Sequence, residues 1–246
     1  MTEPQCGAVL SPAKRIYAIG DVHGRLDLLE DLLQKIGADL SARPGPASTL
    51  VFLGDLVDRG PESAQVVEYL RQLQIARAPG STRFLLGNHE EVLLAALAGD
   101  DKAFRFFCRI GGRETILSYG VDENLYADLD YSELLEAFQA LVPQAHIEFL
   151  NTFEDMIVEG DYAFVHAGID PRRPLADQRI KDLRWIRDAF IDFAGSHEKV
   201  VVHGHTIARD VEQLPNRIGL DTGAYVSGKL TAMGFEGSER WVLQTG

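Results

Sequence analysis

The sequence is poor in three things: cysteine, basic charge and long apolar runs. It has two cysteines in 246 residues, Cys6 and Cys108. Two thiols so far apart build neither a disulfide framework nor a thiolate zinc pattern, and such sparse usage suits a reducing compartment. Lys and Arg number 24 against 37 Asp and Glu, a formal net charge of −13. So acidic a chain is disfavoured on nucleic acid and on anionic membranes, because phosphate selects Lys and Arg. No apolar stretch approaches the ~20 residues that span a bilayer. Met1–Leu10 carries Glu3 and Pro4 and lacks the basic-then-apolar order of a secretion leader. These absences predict a soluble cytoplasmic protein with no membrane or nucleic-acid partner. What is present is an ordinary globular mix, 46% hydrophobic and 25% charged, which excludes a disordered chain. A chain of this length buries about 70–75% of its unfolded surface and needs no partner to complete a core, so a monomer is expected.

Periodicity predicts alternating strands and helices. Arg15–Ile19 is a short apolar run that reads as a buried strand. Leu26, Leu28, Leu29, Leu32, Leu33 and Ile36 recur at helical spacing and stop at Gly37, a fitting helix end. Leu50–Leu53 and Phe84–Leu86 read as further strands, each followed by a helix, at Pro61 to Ile75 and at Glu90–Leu97. From Asp101 to Glu159 strands vanish and amphipathic segments such as Glu133–Leu141 and Ile147–Phe153 take over. Strands resume at Tyr162–Val165, Val200–His203, Ile218–Leu220, Leu230–Phe235 and Trp241–Gln244. The expected architecture is α/β: two packed mixed sheets flanked by helices, one domain over residues 1–246 with a helical insertion at about 101–159.

The chemistry sits just past the strand ends. The first strand runs into Gly20-Asp21-Val22-His23-Gly24 and the second into Gly54-Asp55-Leu56-Val57-Asp58-Arg59-Gly60. The third runs into Gly87-Asn88-His89-Glu90. Two later strands end in His166-Ala167-Gly168 and His203-Gly204-His205-Thr206. One such turn alone is ordinary turn chemistry. Five in order, holding five of the seven histidines, are a constellation. Strand carboxyl ends in an α/β fold line one rim, where these groups can converge. A mixed Asp, His and Asn donor set suits a borderline first-row divalent ion, and two carboxylates with several imidazoles suit two such ions in a hydrolase.

The three turns Gly-Asp-x-His-Gly, Gly-Asp-x-Val-Asp-Arg-Gly and Gly-Asn-His-Glu resemble the phosphoprotein phosphatase family of the metallophosphoesterases, in its compact bacterial and phage form. The resemblance extends through His166-Ala167-Gly168, Trp185-Ile186-Arg187, Gly204-His205-Thr206 and Asp221-Thr222-Gly223, about residues 15–235. It implies a calcineurin-like fold and two divalent metal ions, manganese first with iron or zinc also accepted. Asp21 and His23 would hold one ion, Asp55 would bridge, and Asn88, His166 and His205 would complete the second. Arg59, Arg187 and Asn88 would grip phosphate, while His89, oriented by Asp58, would protonate the leaving group. The attacking species would be a metal-bridging hydroxide, without a covalent phosphoenzyme. His203 is expected to support the site from behind, and His146 and His197 to be surface or interface residues. Trp185 and Phe190 are expected to pack.

Two substrate classes share this core: phosphoproteins, and dinucleoside polyphosphates cleaved symmetrically. A non-catalytic phosphate- or metal-binding module is disfavoured because each metal and acid position holds a competent residue. Relatives acting on dinucleotides typically have Ala in place of Asp58, Asp in place of Glu90 and Trp in place of Thr206. Ile207 stands where general phosphodiesterases usually place a second histidine. The residues present therefore predict a serine/threonine protein phosphatase acting on phosphorylated proteins or peptides, with diadenosine tetraphosphate hydrolysis as the alternative.

Overall fold

A computed structural model describes residues 7–246; Met1–Cys6, and with them Cys6 and most of the leader reading, lie outside the described residues. Among the described residues the strands are β1 (Arg15–Ile19), β2 (Ser48–Phe52), β3 (Thr82–Phe84), β4 (Met156–Glu159), β5 (Tyr162–Val165), β6 (Val200–His203), β7 (Glu212–Gln213), β8 (Arg217–Gly219), β9 (Thr231–Glu236) and β10 (Glu239–Gln244). They form two five-stranded sheets, in the orders β10-β9-β1-β2-β3 and β4-β5-β6-β8-β7. Both sheets are mixed. β1, β2 and β3 run parallel, as do β5, β6 and β8, while β9, β10, β4 and β7 pair antiparallel. This is the two-sheet α/β architecture expected from the sequence.

Alternation along each strand explains the layering. Ile16 and Ala18 of β1 and Val51 of β2 join Phe164, Val202, Ile218 and Phe235 in one core built from both sheets. Their neighbours Tyr17, Ile19, Leu50 and Phe52 face the opposite way, into a core shared with helices. Those helices include α1 (Leu26–Ala42), α2 (Ser63–Ala76) and α3 (Asn88–Leu97). On the outer face of the second sheet, Val165 and Val201 pack with Leu183 and Phe190. Both faces of each central strand are covered, which is why those strands read as unbroken apolar runs.

Register positions the site. Ile19 of β1 lies opposite Phe52 of β2, and Phe52 opposite Phe84 of β3, so the three strands end along one edge. In the second sheet Phe164 lies opposite Val202, and His203 opposite Gly219. The five motif turns leave from these aligned ends.

Helices α4 (Asp101–Phe107), α5 (Arg113–Ser118), α6 (Glu123–Asp128), α7 (Tyr131–Leu141) and α8 (Gln144–Leu150) occupy the middle of the chain. A π-helical turn at Cys108–Gly112 joins α4 to α5, broken at Gly111, whose φ is 122°. Helices α9 (Ile180–Trp185), α10 (Asp188–Ile191) and α11 (Ala224–Ser227) are short. Two expectations need correction. α1 does not stop at Gly37 but runs to Ala42, because Ile36 remains buried and Leu40 continues the stripe packed on the same core. Strands do not vanish up to Glu159: β4 pairs with β5 there. No helix among the described residues is long and apolar enough to cross a membrane.

Candidate metal centre

The turns that carry the site are bent in a way side chains resist. Among the described residues, six non-glycine residues have positive φ, and five are His23, Asp55, Asp58, Arg59 and His205. Such conformations cost on the order of 1–3 kcal/mol each and persist only where the surroundings enforce them. The neighbouring glycines allow the close approach. A Cβ on Gly87 would fall 2.2 Å from Asp55 Oδ1, and one on Gly204 would fall 2.0 Å from Asp21 Oδ1.

Two groups of side chains converge with donor atoms within 4.8 Å of one another: His23, Asp55 and His89, and Asp55, His166 and His205. All are buried and Asp55 is common to both. The donor chemistry fits a cation. His166 Nδ1 lies 2.7 Å from the Leu53 carbonyl and donates its proton there. Its Nε2 then presents a lone pair 3.0 Å from Asn88 Oδ1, 3.2 Å from His205 Nδ1 and 3.4 Å from Asp55 Oδ1. His23 repeats the device: Nδ1 donates to the Val57 carbonyl at 2.8 Å and leaves Nε2 bare, 3.7 Å from Asp55. A histidine fixed through one nitrogen to a backbone carbonyl is the usual arrangement of a metal ligand. Burial keeps these rings neutral, pushing His23 and His205 down to about 3 and lowering His166 as well. Burial alone would raise Asp55, but His166, His89 and His23 hold its carboxyl below the usual range.

Asp21 stands outside both groups, although it was expected beside His23. Its carboxylate accepts the backbone N–H of His205 at 3.0 and 3.2 Å. Burial and the nearby charges of Asp221 and Asp55 raise it well above an ordinary Asp. Asp221 was part of a quoted motif without a role; burial and the Asp55 charge raise it to about 6. So much negative charge out of water calls for compensation by a cation.

The expected phosphate-binding and acid groups line the same centre. Arg59 places Nη1 3.3 Å from His23 Nε2 and Nη2 3.2 Å from His89 Nε2. Its guanidinium rests over the Tyr225 ring, 4.8 Å from the centroid, and Tyr225 meets His23 edge to face. Nothing in the sequence singled out Tyr225. Arg187 Nε donates to His205 Nε2 at 3.0 Å, whereas its neighbour Arg184 is committed to Glu91 and Asp155. His89 Nδ1 lies 2.6 Å from Asp58 Oδ2. Burial disfavours the His89 cation, but Asp55 and the Asp58 hydrogen bond outweigh it and raise His89 above its usual value. His203 lies buried behind the site, with Nδ1 3.0 Å from the Gly204 carbonyl.

Trp185 and Phe190 pack, against Phe106 and against His197 and His203. His146 is not a surface residue. It is buried between the Tyr119 hydroxyl at 2.9 Å and Glu68 at 3.0 Å, because the helical layer folds over it.

Comparison with known proteins overturns the protein-phosphatase expectation. A bis(5'-nucleosyl)-tetraphosphatase of the asymmetrical kind, PrpE of Bacillus velezensis, is 26% identical over 88% of this chain and 87% of its own length. A symmetrical bis(5'-nucleosyl)-tetraphosphatase of Janthinobacterium sp. is 30% identical over 88% of this chain and 91% of its own. Among solved structures, a candidate diadenosine tetraphosphatase superposes with a TM-score of 0.63 at 24% identity, covering 96% of each chain. A cold-active protein-tyrosine phosphatase of Shewanella gives 0.56 at 19% identity, over 98% of this chain and 85% of that one. These two share the fold. The residues that pointed to phosphoproteins are poor witnesses for a physical reason. Glu90 is fully buried and accepts the backbone N–H groups of Asp55, Leu56, Val57 and Gly87. Asp58 is equally buried. Glu90 shapes turns and Asp58 holds His89 and Thr115, so both serve the framework of the site whatever the substrate. A family model of calcineurin-like phosphoesterases matches residues 14–235, and the chain belongs to that family.

Proposed function

We propose that this chain hydrolyses bis(5'-nucleosyl) tetraphosphates, cleaving a phosphoanhydride bond of a dinucleotide such as diadenosine tetraphosphate. The observation that carries this reading is the likeness to tetraphosphatases over 88% of the chain. The site suits a polyanion. Arg59 and Arg187 stand at the two histidine groups, and each offers a planar, permanently charged fork to phosphate oxygens.

One divalent ion would be held by His23 and Asp55 with Asp21 nearby, a second by Asp55, Asn88, His166 and His205. Such ions supply Lewis-acid charge and water activation when bound. The protein's own groups do the rest. Asp55 is common to both donor groups, and the carbonyls of Val57 and Leu53 fix which nitrogen of His23 and His166 faces inward. His89 keeps its Nδ1 proton on Asp58 and delivers a proton from Nε2, the nitrogen that faces the cleft, to the departing oxygen. A nucleotide phosphate has a second pKa of about 6 and leaves readily, so proton delivery matters less here than for an alkyl ester.

The test is product analysis with manganese-loaded protein and diadenosine tetraphosphate. ADP alone marks symmetrical cleavage, and ATP with AMP marks asymmetrical cleavage; either supports the reading. Intact dinucleotide, under conditions where p-nitrophenyl phosphate is turned over, overturns it.

A further inference from the structure

The helical stretch between α4 and α8 contains no motif, yet it reaches the acid pair of the site. Thr115, on α5, is fully buried. Its hydroxyl donates to Asp58 Oδ1 at 2.6 Å, and the same oxygen accepts the Asp58 backbone N–H at 2.9 Å. Thr115 thus closes a ring on one residue, from N–H through hydroxyl to carboxylate, which fixes the Asp58 side chain relative to its backbone. Ser63 Oγ stands 3.0 Å from both the Thr115 hydroxyl and the Asp58 N–H. With Oδ1 so occupied, Oδ2 is left for His89 Nδ1 at 2.6 Å. Immediately before α5, the Gly111 carbonyl accepts the Arg59 N–H at 3.0 Å. Asp58 and Arg59 have φ of 72° and 69°, so the helical layer grips from outside the two consecutive residues whose backbone is strained.

We infer that Thr115 is a positioning residue: it orients the Asp58 carboxylate so that His89 presents its proton to the leaving oxygen. No other hydroxyl both accepts from the Asp58 N–H and donates to its carboxylate among the described residues. A hydrogen bond to an ionised group is short and directional, and a carboxylate with one oxygen pinned has one rotamer for its partner. The inference rests on reading His89 as a general acid. It does not depend on which phosphoester is the natural substrate.

The experiment compares Thr115→Val and Thr115→Ser with the parent, all manganese-loaded, on phenyl phosphate and p-nitrophenyl phosphate. Phenolate is the poorer leaving group and depends more on protonation. Thr115→Val should lose about tenfold or more in kcat on phenyl phosphate and clearly less on p-nitrophenyl phosphate, while Thr115→Ser stays near the parent on both. In a His89→Asn background, Thr115→Val should leave the ratio of the two rates unchanged, because residues acting as a unit are not additive. Thr115→Ala reads the same ratio should the valine variant fail to fold. Equal losses on both substrates, or a ratio shift that persists without His89, overturn the positioning role. A His89→Asn variant that itself leaves the ratio unmoved defeats the acid reading instead, which separates the two failures.

Discussion

The two histidine groups that share Asp55 are built from different parts of the chain and differ in proton chemistry. His23, Asp55 and His89 all leave the parallel strands of the first sheet, whereas His166 and His205 reach Asp55 from the second. On the second-sheet side both imidazoles are driven neutral by burial and offer lone pairs. On the first-sheet side His23 is likewise neutral, but His89 is held against Asp58 and raised. Arg59 spans both rings of that first group, while the Arg187 side chain meets His205. The contrast teaches that one cleft can hold imidazoles driven neutral and one whose cation is favoured within a few ångströms. Burial lowers His23 and His166 although each Nδ1 faces a carbonyl, whereas for His89 Asp55 and the Asp58 carboxylate at Nδ1 outweigh burial.

The harshest way to break the comparison is to remove its shared member. Asp55→Asn should abolish both ion positions and cut turnover by more than ~10³-fold, since every donor set loses its common charge. Metal analysis of the purified variant should find less than one ion per chain. Two retained ions would mean the halves do not depend on Asp55.

His89→Asn should separate the halves. Bound metal should match the parent, turnover on an alkyl phosphate should fall ~10²–10⁴-fold, and the fall on diadenosine tetraphosphate should be smaller. A variant stripped of metal would place His89 among the ligands, where its position beside His23 and Asp55 also allows it to stand.

The smallest effect concerns pH. His205 is depressed to about 3 in the folded chain, against an ordinary 6.5 when unfolded. The unfolded state therefore binds more protons below 6.5, and the stability His205 contributes is full above that value and lost as pH falls toward 3. In chelator, where no metal masks the effect, His205→Asn should lose less melting temperature than the parent between pH 7 and pH 5. Parallel melting profiles would show that His205 is not held neutral by the fold.

Much of this was legible in the sequence because burial on both faces makes the central strands unbroken apolar runs, with the motif turns at their ends. The edges were not. β4 is four residues long and mostly not buried, and β7 spans two polar residues, so neither stands out as a buried run. Gly37 looked like a helix end, but about 1 kcal/mol of helix propensity is small beside continued burial of the α1 stripe. Among site residues, Asn88, His166 and His205, expected at a second ion position, are brought together around Asp55. Asp21 was expected at the first position; its carboxylate accepts the His205 N–H. Thr115 was invisible, since its tie to Asp58 spans 57 residues and α5 has no recognisable pattern around it. The substrate class was misread from Asp58, Glu90 and Thr206; the first two side chains are wholly buried.

The most direct test of the account is the ratio of kcat/KM for diadenosine tetraphosphate to that for a phosphothreonine peptide, on metal-loaded protein in one buffer. Hydrolysis of nucleoside polyphosphates predicts a ratio of at least about 100, given that site-built discrimination between substrate classes commonly spans several kcal/mol. A ratio below one would contradict it and return the site to phosphoprotein chemistry.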